Sequence, residues 1–176
     1  MVEEGVIMKI IRCTKKLLKE VGGVIPDLDI RPSFWLESWH ANLVVIDRCK
    51  CLLVTNDESL YTLFIPGLKK ADFKHLKIII NEHLFKSMVY DGLSQSSIEK
   101  VLSVGDDLVF TTTNSRSVIG VMNDMKLILE QKVYGNGGMK YCNPFELQHS
   151  INRMPIGPLK YEFSLEVFKK KLMDQK

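Results

Sequence analysis

Residues 41–65 read ANLVVIDRCKCLLVTNDESLYTLFI, and this stretch decides the fold class. Residues 41–46 and 51–55 are apolar, β-branched runs joined by a polar four-residue link, a pattern typical of a β-hairpin with a longer turn. A second polar turn, residues 56–59, leads to a third apolar run over residues 60–65, which a Pro-Gly pair ends. The three runs predict a β-meander, although the third lacks strict alternation and also fits a short helix.

The segments on both sides of this meander alternate between helical and extended patterns. The three-to-four-residue spacing of apolar side chains predicts helices, and short β-branched runs predict two more strands. The order of these elements indicates an α+β fold, a small antiparallel sheet of four to five strands covered by about five helices. We expect a single domain over residues 8–173, preceded by a flexible N-terminal extension, residues 1–7. A short helix capped by Thr14 runs through Leu18, and the longer predicted helices are 71–90, 95–102, one from Ser115 or Ser117 to 134, 144–153 and 164–173. The added strands are 8–12 and 108–112.

The composition is that of a soluble globular chain. The 176 residues are 45% hydrophobic and 26% charged, and 24 basic against 21 acidic residues give a net charge of +3. A disordered chain would have fewer apolar residues, and a membrane span needs about 18 consecutive ones, which do not occur. The four cysteines lack the spacing of a disulfide framework, and the first ten residues lack the apolar core of a signal peptide. We therefore expect a cytoplasmic protein with free thiols and no membrane association.

The motifs of several common catalytic and cofactor sites are missing from the sequence. Cys49-x-Cys51 has no second ligand pair at the spacing of a zinc site, so we expect no metal. Neither the phosphate-binding glycine loops nor the G-x-S-x-G nucleophile motif occurs. The sequence therefore predicts no cofactor and leaves any catalytic residues unknown.

Residues 111–124, TTTNSRSVIGVMND, join a strand to a helix and are the most informative segment for function. At 100° per residue, Arg116, Gly120 and Asn123 form a stripe opposite the apolar face of the helix. A glycine in the middle of a helix costs about 1 kcal/mol relative to alanine. Two kinds of interaction would offset that cost: close approach of a ligand, or packing of Gly120 under a neighbouring element. The helix start, at Asn114 or Ser115, also presents free N–H groups that favour anions.

Residues 38–48, SWHANLVVIDR, are the second informative segment. An exposed Trp39 beside His40 would suit a recognition surface, because tryptophan is amphipathic and stacks well. The alternative is that Trp39 anchors the edge of the core and that Asp47 forms an Asx-type turn.

Four short motifs in a fixed order carry a resemblance to a known family. They are W-[HY]-A-N-L, I-D-R, T-N-[DE] and T-N-x-R-S-V-x-G-x-M-N-D, and here they include WHANL, IDR, TND and TNSRSVIGVMND. The chain resembles a family of short bacterial proteins classed as a domain of unknown function. The resemblance implies one domain and a cytoplasmic bacterial setting, and it carries no assigned activity.

Three functional hypotheses remain open. The first is a non-catalytic binding or interaction module for a protein, or for nucleic acid through Arg12, Lys15 and Lys16. The second is a hydrolase or nuclease-like enzyme in which Asp124, Asp47 and His40 share a cleft and Arg116 holds an anion. The third is that the polar motif residues are structural. The oligomeric state stays open. The predicted binding residues are Trp39, Asn42, Arg48, Asn56, Asn114, Arg116, Asn123 and Asp124.

Overall fold

The computed structural model describes residues 8–22 and 31–174. Its centre is a five-stranded sheet with the strand order β4-β3-β2-β1-β5. The strands are β1 (Lys9–Cys13), β2 (Ser38–Ile46), β3 (Cys49–Asn56), β4 (Thr62–Pro66) and β5 (Leu108–Thr112). The third apolar run of the meander is thus a strand.

The sheet is mixed, because β2, β3 and β4 form an antiparallel meander while β1 runs parallel to both β2 and β5. The α+β prediction is confirmed, but the purely antiparallel sheet was wrong. Side-chain alternation reports which residues face a core and is the same for both strand directions. The direction is set by the helical crossovers that precede β2 and β5, and parallel neighbours require such crossovers.

The hairpin between β2 and β3 is tighter than the sequence pattern indicates. Only Asp47 and Arg48 form the turn, and both have positive φ, 49° and 63°. Positive φ at both central residues matches the right-handed twist of the flanking strands. Because the loop has two residues instead of four, Cys49 and Lys50 join β3 and pair with Ile46 and Val45.

Helices cover both faces of the sheet. Side chains of α1, α2, α3 and α6 fill one core, and those of α4 and α5 fill the other. Two helix starts are capped as their sequences predict, since Ser94 accepts the N–H of Ser97 and Asn143 accepts that of Phe145. In the described residues the helices are α1 (Lys15–Leu18), α2 (Leu76–Tyr90), α3 (Gln95–Leu102), α4 (Arg116–Gly135), α5 (Pro144–Asn152) and α6 (Ser164–Met173).

Two side chains of α5 close the outer edge of β4. Asn152 accepts the Thr62 N–H and donates to the Thr62 carbonyl, both at 2.8 Å. Gln148, one helical turn earlier, accepts the Phe64 N–H at 2.8 Å. Both side chains are buried. The helix thus supplies the hydrogen bonds that another strand would make, and it removes an exposed sheet edge.

The acid sensitivity of this edge depends on His83, whose Nε2 lies 2.8 Å from the side-chain oxygen Oε1 of Gln148. Burial lowers the pKa of His83 below its usual range. The unfolded chain therefore binds this proton at a higher pH than the folded chain, and stability is lost as the pH falls below about 6.5. We expect His83→Gln to flatten the loss of unfolding free energy between pH 7 and 5, measured by urea denaturation. His75→Gln, at an exposed histidine, should keep the wild-type slope, and equal slopes for all three proteins would contradict the prediction.

The domain limits 8–173 stay a prediction, and the expected N-terminal extension, residues 1–7, lies outside the described residues. Across residues 8–22 and 31–174, no helix combines the length and the hydropathy needed to span a bilayer.

Candidate functional site

The predicted polar stripe of α4 lines an open groove at the start of that helix. Val118, Met122 and Met125 are buried on the opposite face, as expected. The groove has a volume of about 550 Å³. The structure therefore brings together Gly120 and three of the predicted binding residues. The lining residues of this α4 groove are Thr113, Asn114, Ser115, Arg116, Ile119, Gly120 and Asn123.

Gly120 lines this groove and is exposed. Apart from its chain neighbours and the adjacent backbone of α4, a Cβ placed on it would find no atom of the described residues within 4 Å. The packing explanation for this glycine is therefore wrong within the described part of the chain. Its cost of about 1 kcal/mol relative to alanine is not offset by any contact there.

The electrostatics of the α4 groove favour an anion. Arg116 is exposed and, within residues 8–22 and 31–174, is the only charged side chain in the groove lining. The first turn of α4 has no acidic residue, and Ser115 Oγ caps the helix by accepting the Val118 N–H at 3.3 Å. The start of a long helix carries partial positive charge, which adds to that of Arg116.

A second, smaller recess lies on the neighbouring side of α4. This apolar pocket has a volume of about 220 Å³, and the exposed Asp124 is the only charged residue that lines it in the described part of the chain. Four lining residues come from α4 and six from the end of α5 and the chain that follows it. They are Val121, Asp124, Met125, Ile128, Ile151, Met154, Pro155, Ile156, Gly157 and Pro158.

The family follows from comparison with known proteins. The model of a domain of unknown function, DUF6933, matches residues 10–167. This chain belongs to the DUF6933 family. The resemblance seen in its motifs is thereby confirmed at the level of a family of unknown function. No curated protein and no solved structure matches the chain.

Two of the predicted binding residues of this DUF6933 protein belong to its core. Trp39 is 1% exposed, and its Nε1 donates to the Leu36 carbonyl at 2.6 Å. Asn56 is fully buried, donates to the Trp35 carbonyl at 2.9 Å and accepts the Ser59 N–H at 2.9 Å. The hydrogen bonds of Asn56 hold together the turn that follows β3. Neither side chain is available to a ligand at the surface.

Two others lie outside the α4 groove. Asn42 is half-buried on β2, and its side-chain oxygen Oδ1 accepts a hydrogen bond from the Thr14 hydroxyl at 3.1 Å. Arg48 is exposed at the hairpin turn. Its neighbour Asp47 accepts the Met139 N–H at 2.7 Å, beyond the C-terminus of α4. The hairpin therefore adjoins the end of α4 opposite to the groove, and the 20-residue helix is about 30 Å long.

The three candidate acid–base groups are dispersed. His40 lies near the start of β2 and Asp47 just beyond its end, and seven residues of extended chain span about 23 Å. His40 is fully buried, whereas Asp124 is exposed beside the apolar pocket. The shared cleft of the enzyme hypothesis is not formed by these residues.

The carboxylate partner of His40 is Asp57, which sequence reasoning missed. Asp57 Oδ1 lies 2.6 Å from His40 Nδ1, and Asp57 Oδ2 accepts the Ser38 hydroxyl at 2.5 Å. A two-residue turn at 47–48 sets a register that places Asp57 opposite Ser38, beside His40 on the same face. Recognising the tight turn would have revealed this pair.

His40 belongs to a buried polar row that crosses all five strands on the α4 face. Adjacent members are register partners, and every member is at most 3% exposed. Among the described residues, His40 Nε2 and the hydroxyls of Thr111 and Thr113 have no hydrogen-bond partner. Thr113, two residues after the row member Thr111, also lines the α4 groove. The row consists of Thr111, Arg12, His40, Thr55 and Thr62.

The described residues give no support to a cysteine nucleophile or to a metal site. All four cysteines are free thiols, and burial raises the pKa of Cys13 to about 12 and that of Cys51 to about 11. Thiols with raised pKa values are poor nucleophiles at neutral pH. Within the described ranges, no three His, Cys, Asp or Glu side chains are grouped to hold a metal ion.

Proposed function

We propose that this protein is a non-catalytic binding module and that the α4 groove holds an anionic group of its ligand. Gly120 carries the proposal. An exposed glycine at the fifth residue of a 20-residue helix, with open space above it, destabilises the free protein. Close approach of a ligand is the explanation that accounts for such a residue beside Arg116 and two asparagines.

The side chains around Gly120 support an anionic ligand group. Arg116 offers a planar guanidinium with several donors, which suits a carboxylate or a phosphate. The amide groups of Asn114 and Asn123 add neutral donors in the same groove. Hydrogen bonds to a charged acceptor are stronger than neutral ones, so even an open groove can select an anion.

We infer that the partner is a protein, in a cytoplasmic setting. Arg12 is 3% exposed, so of the three residues predicted to contact nucleic acid only Lys15 and Lys16 lie at the surface, with the exposed Lys19 beside them. Nucleic-acid binding depends on several cations that neutralise neighbouring phosphates. The free thiols support a reducing compartment.

The test is a titration of the ¹⁵N-labelled protein with inorganic phosphate, followed by two-dimensional NMR. We expect the amide signals of residues 113–123 to shift. Arg116→Gln should weaken the affinity about fivefold, equivalent to about 1 kcal/mol, because it removes the charge and keeps a polar side chain.

Arg48→Gln is the matched control, since it removes an exposed arginine at the other end of α4. This variant should bind phosphate as the wild type does. Equal weakening by both substitutions, or shifts that bypass residues 113–123, would contradict the proposed site.

A further inference from the structure

The α4 groove and the apolar pocket flank the same two turns of one helix. With 100° per residue and Gly120 as zero, Arg116 and Asn123 lie at about −40° and −60°. Asp124 and Val121 lie at about +40° and +100°, on the pocket side. Gly120 therefore forms the low point between the two recesses.

The two recesses differ in the side chains that line them. Among the described residues, the α4 groove has one charged side chain, the cation of Arg116, and polar amides beside it. The apolar pocket is lined there by aliphatic, methionine and proline side chains, and Asp124 at its helix side is its one charged residue. One ligand that fills both must carry an anion at one end and an aliphatic group at the other.

We propose that a polypeptide segment of a partner protein crosses α4 over Gly120, with an acidic side chain in the α4 groove and an aliphatic side chain in the apolar pocket. The inference rests on the proposed function of the groove. A helix is about 10 Å across and extended chain advances about 3.3 Å per residue, so the two side chains are about three residues apart.

Charge and backbone chemistry both favour this occupant. The acidic side chain complements Arg116, and burial of the aliphatic one in the pocket supplies apolar contact area. A peptide backbone laid on a helix also needs partners for its N–H groups. The carboxylate of Asp124 and the amide oxygen of Asn123, on either side of Gly120, are acceptors for them. A side chain at position 120 would hold the backbone away from the helix.

The experiment compares a linked peptide with its two halves. The probes are Ac-Asp-Gly-Gly-Leu-NH₂, Ac-Asp-NH₂ and Ac-Leu-NH₂, each titrated against ¹⁵N-labelled full-length protein by NMR. We expect the peptide to bind at least tenfold tighter than either half and to shift signals of both 113–123 and 151–158. Linking two weak binders raises their effective concentration, which is the source of this gain.

Substitution of the glycine tests the crossing itself. In Gly120→Ala the peptide should bind no tighter than Ac-Asp-NH₂ binds to the same variant, while the melting temperature should rise by about 2 to 4 °C. Gly120→Gln should act in the same way. Gly135→Ala is the matched control, because Gly135 is also exposed on α4 with open space above it. It should keep the full advantage of the linked peptide.

The outcomes separate the two proposals. If neither inorganic phosphate nor Ac-Asp-NH₂ shifts residues 113–123, the proposed function fails and the crossing fails with it. The crossing is overturned if both halves bind but the linked peptide binds no tighter than either, or if Gly120→Ala keeps the tighter binding of the linked peptide. The proposed anion site in the α4 groove is unaffected by either result. Tighter binding of the oligonucleotide dT8 than of the peptide at this surface would overturn the peptide as occupant.

Discussion

Replacing Asn152 with leucine is expected to lower the free energy of unfolding by about 3 to 5 kcal/mol. Asn152 is fully buried, and its amide satisfies both the N–H and the carbonyl of Thr62 on the outer edge of β4. It also accepts the Ser164 hydroxyl at 2.8 Å. Leucine has a similar volume but no polar atoms, so these buried groups would lose their partners without gaining access to water.

Urea denaturation of the variant and the wild type measures this loss. Gln131→Leu, at an exposed position of α4, is the control and should change stability by less than about 0.5 kcal/mol. If Asn152→Leu is too unstable to be isolated, Asn152→Ala in the presence of a stabilising osmolyte gives the same comparison. A loss below about 1 kcal/mol would show that the edge of β4 does not depend on α5.

Replacing Asp57 with alanine should destabilise the protein by about 2 to 3 kcal/mol. The carboxylate accepts from Ser38 and pairs with His40, whose side chain is fully buried. Without Asp57, neither ring nitrogen of His40 has a partner among the described residues. A buried imidazole without hydrogen bonds is costly because water cannot replace the lost partner.

Asp57→Asn separates the hydrogen bonds from the charge. Asparagine keeps an acceptor for His40 Nδ1, so this variant should lose about 1 kcal/mol or less. Thermal or urea unfolding at pH 7 measures both variants, and the ¹⁵N shifts of His40 report whether Nδ1 carries the proton. Equal losses for alanine and asparagine would mean that the charge of Asp57, and not its hydrogen bonds, holds His40.

Local chemistry was sufficient to predict most elements of the fold. The helix starts at Ser94, Ser115 and Asn143 follow from side chains that cap free N–H groups. The strands of the meander follow from β-branched runs between polar turns. The direction of β1 and the two-residue turn at Asp47 and Arg48 were not predictable in this way. Strand direction depends on crossovers, and positive φ in a non-glycine turn leaves a weak sequence signal.

The residues of the candidate site also fall into those that local patterns predicted and those that depended on tertiary packing. The helical period placed Arg116, Gly120 and Asn123 on one face, and the structure gathers them in one groove. Trp39 and Asn56 carry recognition-type side chains but lie in the core, because a residue type does not reveal which face of a strand is buried. The pairing of His40 with Asp57 depends on the register between β2 and β3. An error in the predicted length of the turn shifts that register and hides the pair.

What the sequence determined by itself is the family, the α+β class and the polar face of α4, since these depend on motifs and on repeat periods within single elements. The tertiary structure alone decided that the space above Gly120 is open, that α5 closes the edge of β4, and that the apolar pocket lies beside the α4 groove. Each of these is a contact, or a gap, between segments far apart in the chain. Periodicity within one segment carries no information about the distance to another, and packing sets that distance.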